Sequence, residues 1–231
     1  MAKNLSYKTG INYDYKSPEI NSALFIGPLD SAINTFNSNG YNLISMKELT
    51  LLKMSQIQNG EGDSSILNNC SMVKEGCIYL PGKGHYITKD SPILNHMQEA
   101  KVAYDRGGHF ELAEYQIEEA LRSSVKIPSP INLFGLNSRV QIPTKKLGEE
   151  EVTQYLLGGG LAEEYGNLLN DMGIPAIDIF YDCYLKKSSA MQLIAYPVGG
   201  VSKKDLFFIS YDTTPFDSPN LVRGIKYYER K

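Results

Sequence analysis

The sequence has no tryptophan and little cysteine, with 3 Cys among 231 residues. A small, odd number of cysteines is typical of a reducing compartment and argues against a secreted disulfide scaffold. The N-terminal stretch MAKNLSYK holds no apolar run of the kind that a secretory signal needs. We therefore expect a cytoplasmic protein that folds around an ordinary apolar core.

An excess of basic charge and long apolar runs are missing as well. Lys and Arg total 23 against 26 Asp and Glu, which gives a formal net charge of -3. Without a basic excess to neutralise phosphates, we expect no dedicated nucleic-acid binding. No stretch approaches the roughly 18 consecutive apolar residues of a membrane-spanning helix, so we expect no membrane partner.

Residues 1–125 show the patterns of a mixed, mostly helical part. Residues 1–22 are polar and predict an arm with little regular structure. Gly40 is placed to end a first helix that begins at Leu29. Ser45 and Glu48 have the spacing of a capping box, which predicts the start of a second helix.

A β-hairpin and a pair of helices follow in the same part. The strand pattern from Cys77 to Leu80 returns from His85 to Thr88 across a Pro-Gly turn. Ser91-Pro92 then marks a helix start. That helix breaks at 107–108 and is followed by another over 111–123.

Residues 126–231 begin with an extended, proline-bearing segment. A long helix is expected from 148 or 149 to about 172, with Gly159 and Gly166 on its apolar stripe and a run of glycines at 158–160. Each glycine costs a helix about 1 kcal/mol, so a break into two helices there stays an open alternative. Four strands with short connections follow, which favours antiparallel pairing. The strands are expected over 177–185, 191–198, 206–211 and 221–228.

These patterns together predict an α+β fold. A helical N-terminal part with a small β-hairpin precedes a long helix packed on a four-stranded antiparallel sheet. We place the boundary between the two parts at residues 125 and 126, because the prolines and weak periodicity of 124–148 separate the regular segments.

Short patches spread from about residue 40 to residue 225 carry a resemblance. They include Gly40-Tyr41 before Ser45-x-x-Glu48-Leu49, Ser91-Pro92-Ile93-Leu94, Ile142-Pro143-Thr144, Glu164-Tyr165-Gly166, Gln192 and Val222-Arg223-Gly224. In this order they resemble an uncharacterised protein family of small-genome archaea. The resemblance implies a soluble microbial protein, and it implies no activity and no functional residue.

A glycine-rich turn between helices gathers the candidate catalytic residues. Asp105, Arg106, His109 and Glu111 bring an anion-binding cation beside an acid and a base. His109 with Glu111 has the residue types for acid–base chemistry, with Arg106 binding an anionic group. The alternative is a loop histidine with no catalytic role.

Two cysteines and two histidines form a candidate metal set. Cys70, Cys77, His85 and His96 are spaced C-x6-C-x7-H-x10-H, and zinc accepts this combination of ligands. Structural zinc sites usually hold their cysteines two to four residues apart, whereas six residues separate these two. We therefore expect no zinc and no other cofactor, and a zinc-stabilised module remains an alternative.

The strand over 177–185 has two different faces. Asp178, Phe180, Asp182 and Tyr184 share one of them. The other face, with Ile179 and Tyr181, is more apolar and is expected to be buried. The first face is therefore expected to be an exposed acidic and aromatic surface. The chain has 16 Tyr, and tyrosine suits recognition surfaces, so this face is the candidate binding site.

These observations favour binding over catalysis. We expect a non-catalytic intracellular protein that binds a protein or a small molecule through its tyrosine-bearing sheet. An enzyme of unknown reaction around His109 is the first alternative, and the zinc-stabilised module is the second.

Overall fold

The structure is a computed structural model of the chain. It describes residues 10–17, 19–61, 65–128, 137–182, 186–195, 205–209, 215–216 and 220–228. Within these ranges, no helix combines the length and the apolar character that crossing a membrane requires.

The described residues form twelve strands and eight α-helices. The strands are β1 (Gly10–Lys16), β2 (Ile20–Gly27), β3 (Asn42–Leu43), β4 (Ser71–Leu80), β5 (Gly84–Thr88), β6 (Phe110–Glu111), β7 (Ser124–Lys126), β8 (Asn137–Pro143), β9 (Ala176–Asp182), β10 (Ser189–Ala195), β11 (Asp205–Ile209) and β12 (Asn220–Tyr227). The helices are α1 (Leu29–Asn39), α2 (Met46–Gln58), α3 (Ser65–Asn68), α4 (Pro92–Asn95), α5 (Met97–Asp105), α6 (Glu114–Leu121), α7 (Glu151–Leu157) and α8 (Gly159–Asp171). A 3-10 turn covers Thr144–Lys146.

All twelve strands belong to one mixed sheet. Its main path runs β1-β2-β12-β4-β10-β11-β9-β8, and β3, β5, β6 and β7 attach beside it. Most neighbours are antiparallel, but β9 runs parallel to β11, and β12 runs parallel to β4. The α+β class is confirmed. The four-stranded antiparallel sheet is wrong, because its expected strands are parts of this larger mixed sheet.

Strand β12 explains why the sheet is larger than expected. It lies between β2 and β4, antiparallel to β2 over eight residue pairs from Asn220 to Tyr227. The last strand that the structure describes is therefore flanked by strands of residues 1–125. The division into two parts at 125 and 126 stays a prediction, while this sheet combines strands from both.

Apolar layers cover both faces of the sheet. Leu49 of α2 and Leu156 of α7 belong to the core cluster on one face, which includes Cys77 of β4. Phe36 of α1 belongs to the cluster on the other face, which includes Ile78. Because successive side chains of a strand alternate, the neighbours Cys77 and Ile78 reach opposite layers. The helices thus enclose the sheet from both sides.

The segment expected to be an arm without regular structure forms the edge strand β1. Gly10–Lys16 pairs antiparallel with β2. Ile11, Tyr13 and Tyr15 alternate with polar residues, and isoleucine and tyrosine both favour strands. This alternation is the strand signal, and the neighbouring polar residues hide it.

Several local expectations are confirmed. Gly40 ends α1 in the left-handed conformation, with φ 70°. Ser45 accepts a hydrogen bond from the backbone N–H of Glu48, whose carboxylate accepts from the backbone N–H of Ser45. Strands β4 and β5 form the expected hairpin.

The single long helix is wrong, and the break is at the glycines. Helix α7 ends at Leu157, and Gly158 has φ 86°, which L side chains rarely adopt. Helix α8 begins at Gly159. Its Gly166 is needed for packing, since a Cβ there would collide with the carbonyl oxygen of Thr144.

Candidate functional site

A groove of 440 Å³ lies where β1, β2 and β12 meet the end of α1. Its volume is within the roughly 300–1,000 Å³ of small-ligand pockets. We call it the tyrosine groove, and its lining contains four tyrosines, two asparagines and two lysines. The lining residues are Tyr13, Tyr15, Lys16, Asn21, Asn39, Tyr41, Lys226 and Tyr228.

A β-bulge brings Tyr13 and Lys16 of β1 to one face. The pairing of β1 with β2 shifts register between Tyr13 and Tyr15, so that Tyr13 lies opposite Ala23 and Lys16 lies opposite Asn21. Directly paired residues share a face of the sheet. Tyr13 and Lys16 are three residues apart and would face opposite ways in a regular strand, but the bulge places both on the groove side.

An ion pair beneath the groove holds the bulge. Asp14 is the residue between the two register halves, and its carboxylate accepts a hydrogen bond from Nη1 of the fully buried Arg223. The same Nη1 donates to Ser22 Oγ at 3.2 Å, and Nε donates to Ser71 Oγ at 3.2 Å. The guanidinium thereby connects β1 to β2, β4 and β12.

Asn21 joins two of the groove tyrosines. Its Nδ2 donates to the hydroxyl oxygen of Tyr228, and its side chain also hydrogen bonds Tyr41. Burial raises the pKa of the Tyr41 phenol above its usual 10.0, although the Asn21 hydrogen bond opposes that rise. Asn21 is 8% exposed, and its Oδ1 has no hydrogen-bond partner among the described residues. The groove wall therefore contains a buried acceptor without a donor in the described part of the chain.

Lys226 places a cation among the aromatic rings. Its Nζ lies 5.7 Å from the ring centroid of Tyr41 and 5.9 Å from that of Tyr228. The same Nζ donates to the backbone carbonyl of Asn39 at 3.0 Å. The hydrogen bond and the cation–π contacts fix the position of this ammonium group at the groove wall.

The tyrosine rings rest on the apolar core. Tyr41 is 5% exposed, and its ring centroid lies 6.2 Å from that of buried Phe36. Tyr13 lies 6.2 Å from Tyr41 on the outer side and is 66% exposed. A stack that begins in the core thus ends at an open aromatic surface.

The candidate catalytic residues lie elsewhere, on an exposed turn after α5. Asp105, Arg106, His109 and Glu111 are all exposed. The Glu111 carboxylate accepts from Lys187 Nζ at 2.8 and 2.9 Å. Neither the tyrosine groove nor the polar cleft between α4 and α6 is lined by any of the four. Their assignment to catalysis stays a prediction.

The structure separates the candidate metal ligands. Buried Cys77 belongs to the core cluster that contains Leu49, whereas Cys70 packs against the cluster on the other face. His85 is buried on β5, and the ring of His96 lies 6.1 Å from that of Phe110. Burial raises the pKa of both cysteine thiols. Within the described ranges, no three His, Cys, Asp or Glu side chains are grouped to hold a metal ion.

The expectation that Asp178 is exposed is wrong. The side chain is 1% exposed and accepts a hydrogen bond at Oδ1 from Gln141 Nε2 at 3.2 Å. Strand β9 lies inside the sheet, between β11 and β8. Ile179 is buried, as expected.

The rest of the predicted acidic surface lies outside what the structure describes. Phe180, Tyr181 and Asp182 are in β9, but their side chains are not among the described ones, and Tyr184 lies outside the described residues. Their role in binding stays a prediction.

Sequence reasoning missed the tyrosine groove because its parts are far apart in the chain. Tyr13 and Lys16 belong to the first described strand, while Lys226 and Tyr228 lie at the end of the last one. The pairing of β12 with β2 brings them together. The alternating tyrosines of β1 were the available signal.

Comparisons with known proteins place the fold. No protein-family model and no curated protein matches the chain. A search of solved structures finds a chain described as "Accommodation of massive sequence variation in Nanoarchaeota by the C-type lectin fold", at a TM-score of 0.58 and 13% identity. The match covers 96% of this chain and 99% of that chain. The two chains share a fold. At this identity the likeness concerns the fold alone.

Proposed function

We propose that the chain is a non-catalytic binding module and that the tyrosine groove is its ligand site. The observation that carries this proposal is the gathering of four tyrosines, two asparagines and two lysines from both ends of the chain into one concave surface. Sites that bind small molecules are concave and combine aromatic walls with a few placed polar groups.

The side chains of the groove suit recognition. Tyrosine adds a large contact area at low conformational entropy cost and carries a hydroxyl that can donate and accept. The lining contains no His, Cys, Asp or Glu, which are the usual general acids, general bases and nucleophiles. The Tyr41 phenol, whose pKa burial raises above its usual 10.0, is protonated at neutral pH. Binding is therefore the role that these groups support best.

The support beneath the groove favours a preformed site. Arg223 and Asp14 fix the bulge from inside the sheet, and Phe36 supports Tyr41. A rigid site loses little conformational freedom when a ligand arrives, so more of the contact energy appears as affinity. The C-type lectin fold of the Nanoarchaeota chain is compatible with a binding role for this chain.

Ligand-detected NMR with matched tyrosine variants tests the proposal. The probes are monosaccharides, aromatic carboxylates and nucleosides, each added to the full chain. Tyr13→Ala removes an exposed groove ring, and Tyr115→Ala removes a ring of similar exposure (61%) on α6, outside the groove. We expect a saturation-transfer signal from at least one class that Tyr13→Ala abolishes and Tyr115→Ala leaves unchanged.

Two results would contradict the proposal. One is a panel in which no probe gives a signal with the unaltered chain. The other is a bound probe whose signal survives both Tyr13→Ala and Tyr228→Ala, which would place the site elsewhere.

A further inference from the structure

The charge of the tyrosine groove differs in sign from that of the whole chain. Lys16 and Lys226 both line it, and none of the lining residues is acidic, although the chain has a formal net charge of -3. The nearest carboxylate in β1 belongs to Asp14, which is turned to the buried guanidinium of Arg223. The groove is therefore a local positive site on an acidic protein.

The two lysines have different roles in that site. Lys226 is fixed by the Asn39 carbonyl and by two tyrosine rings. An ammonium group has three donors, so one hydrogen bond to Asn39 leaves two for a ligand. Lys16 is exposed at the end of β1, so its side chain has the freedom to approach a bound anion. A held cation and an exposed one, both among the lining residues, match an anionic group on a small ligand.

The exposed tyrosine rings of the groove favour a ligand that contains a ring. Tyr13 is 66% exposed and Tyr228 is 43% exposed, so both present open faces. An aromatic face is negative and attracts the positive edge of another ring or the C–H groups of a saturated ring.

We infer that the tyrosine groove binds a carboxylate carried on a ring, with the ring against Tyr13 and Tyr228 and the carboxylate beside Lys16 and Lys226. This inference rests on the proposed function and adds the chemical class of the ligand. An aromatic acid and an acidic sugar both have this chemistry. A polyanion such as nucleic acid does not fit, because two lysines neutralise few phosphates.

Two pairs of probes separate charge from shape. Tri-galacturonic acid and its methyl ester share a sugar backbone, and 4-hydroxyphenylacetate and its methyl ester share an aromatic ring. In each pair only the acid is charged at neutral pH. Isothermal titration calorimetry with the full chain at low ionic strength measures the four affinities.

We expect the acid of at least one pair to bind at least tenfold more tightly than its ester. The pair that binds identifies the source of the ring. Because the contact is electrostatic, added salt should weaken the acid far more than the ester. Lys16→Gln should lower the affinity for the acid several-fold more than the affinity for the ester, and Lys226→Gln should do the same. Lys83→Gln, on the exposed turn between β4 and β5, is the matched control and should change neither.

The outcomes distinguish this inference from the proposed function. Equal affinities for acid and ester, both lost in Tyr13→Ala, would overturn the inference and leave the groove as the ligand site. Binding of the acid that neither Tyr13→Ala nor the lysine variants weaken would overturn both. Failure of all four probes to bind would overturn the inference.

Discussion

The tyrosine groove and the turn over residues 105–111 both gather charged side chains, but they are supported differently. The groove lies over strands β1, β2 and β12 of the sheet, and Arg223 is fully buried beneath it. The turn projects from the end of α5, and the ion pair between Glu111 and Lys187 lies on the surface. The groove side chains lie over a buried ion pair, whereas the polar side chains of the turn make surface contacts beside buried Phe110 and the pairing of β6 with β10.

This difference is why we favour the groove over the turn as the candidate ligand site. Removing one partner of a buried ion pair greatly lowers the stability of the fold, because the remaining charge stays away from water. Removing one partner of an exposed pair changes the stability little, because water replaces that partner. The positions of Asn21 and Lys226 in the groove are therefore fixed by contacts within the fold, whereas the polar side chains of the turn depend on weak surface pairs.

The largest expected effect concerns the ion pair beneath the groove. Asp14→Ala leaves the guanidinium of Arg223 buried without its carboxylate, which should lower the free energy of unfolding by about 3–5 kcal/mol. Urea unfolding followed by circular dichroism measures it. The double variant Asp14→Leu with Arg223→Met removes both charges and should recover part of the loss. If Asp14→Ala lowers the free energy of unfolding by less than about 1 kcal/mol, the buried pair behaves like a surface pair, and the groove is held no more firmly than the turn.

Glu75 is a buried carboxylate that, unlike Asp14, is bonded to a backbone amide and not to a guanidinium. Glu75 is 2% exposed and accepts from the backbone N–H of Met46 at 2.8 Å. Burial raises its pKa from 4.5 to about 7. A raised pKa in the folded state means that folding favours the protonated acid. Its stabilising contribution is therefore full below pH 4.5 and is lost as the pH rises through about 7.

Glu75→Gln tests this pH dependence. The variant keeps an acceptor for Met46 but cannot ionise, so at pH 8 it should be more stable than the unaltered chain by on the order of 3 kcal/mol. Below pH 4.5 the two should be alike. Thermal unfolding at pH 4, 6 and 8 measures the difference, and a gap that does not grow with pH would show that Glu75 ionises freely in the fold.

A smaller effect is expected where α1 packs against β12 beside the groove. A Cβ added at Gly224 would lie 2.9 Å from the ring of Phe36, which also supports Tyr41. Gly224→Ala should therefore overpack the core and cost about 1–3 kcal/mol.

Gly160→Ala is the matched control for Gly224→Ala. It adds the same atom in open space on α8, where alanine should be neutral or stabilising. Chemical denaturation compares the two variants. Equal stabilities would mean that the Phe36 layer yields to the new methyl group.

The smallest effect is expected on the turn. Glu111→Ala breaks its exposed contact with Lys187 and should change the free energy of unfolding by at most about 0.5 kcal/mol. Differential scanning calorimetry of this variant beside Asp14→Ala compares the two regions directly. A loss of several kcal/mol from Glu111→Ala would show that the turn is held as firmly as the groove.

Local signals in the sequence predicted much of the secondary structure. The Ser45 and Glu48 capping box, the Gly40 helix end and the β4–β5 hairpin depend on neighbouring residues, and all three are confirmed. The helix break at Gly158 was left open, because the cost of glycine in a helix competes with packing that the sequence does not show. Membership of an uncharacterised archaeal family stays a prediction.

Expectations about strand pairing and faces were less accurate. Asp178 alternates with isoleucines and should face solvent in a sheet with one open side. It is nevertheless buried, in a strand that lies between β11 and β8 of a larger sheet. Strand β12 pairs with β2 across about 200 residues of chain. Neighbouring residues carry no information on such distant pairings.

Interactions among near neighbours therefore predicted the α+β class, the end of α1 at Gly40, the start of α2 at Ser45, the β4–β5 hairpin and the presence of an apolar core. These depend on interactions within a few residues, such as caps, turns and periodic apolar positions. The tertiary structure alone decided the strand order, the burial of Asp178 and Arg223, and the meeting of Tyr13 with Lys226 and Tyr228. The reason is physical: a site built from both ends of a chain exists only after distant strands pair, and that pairing is set by the whole core.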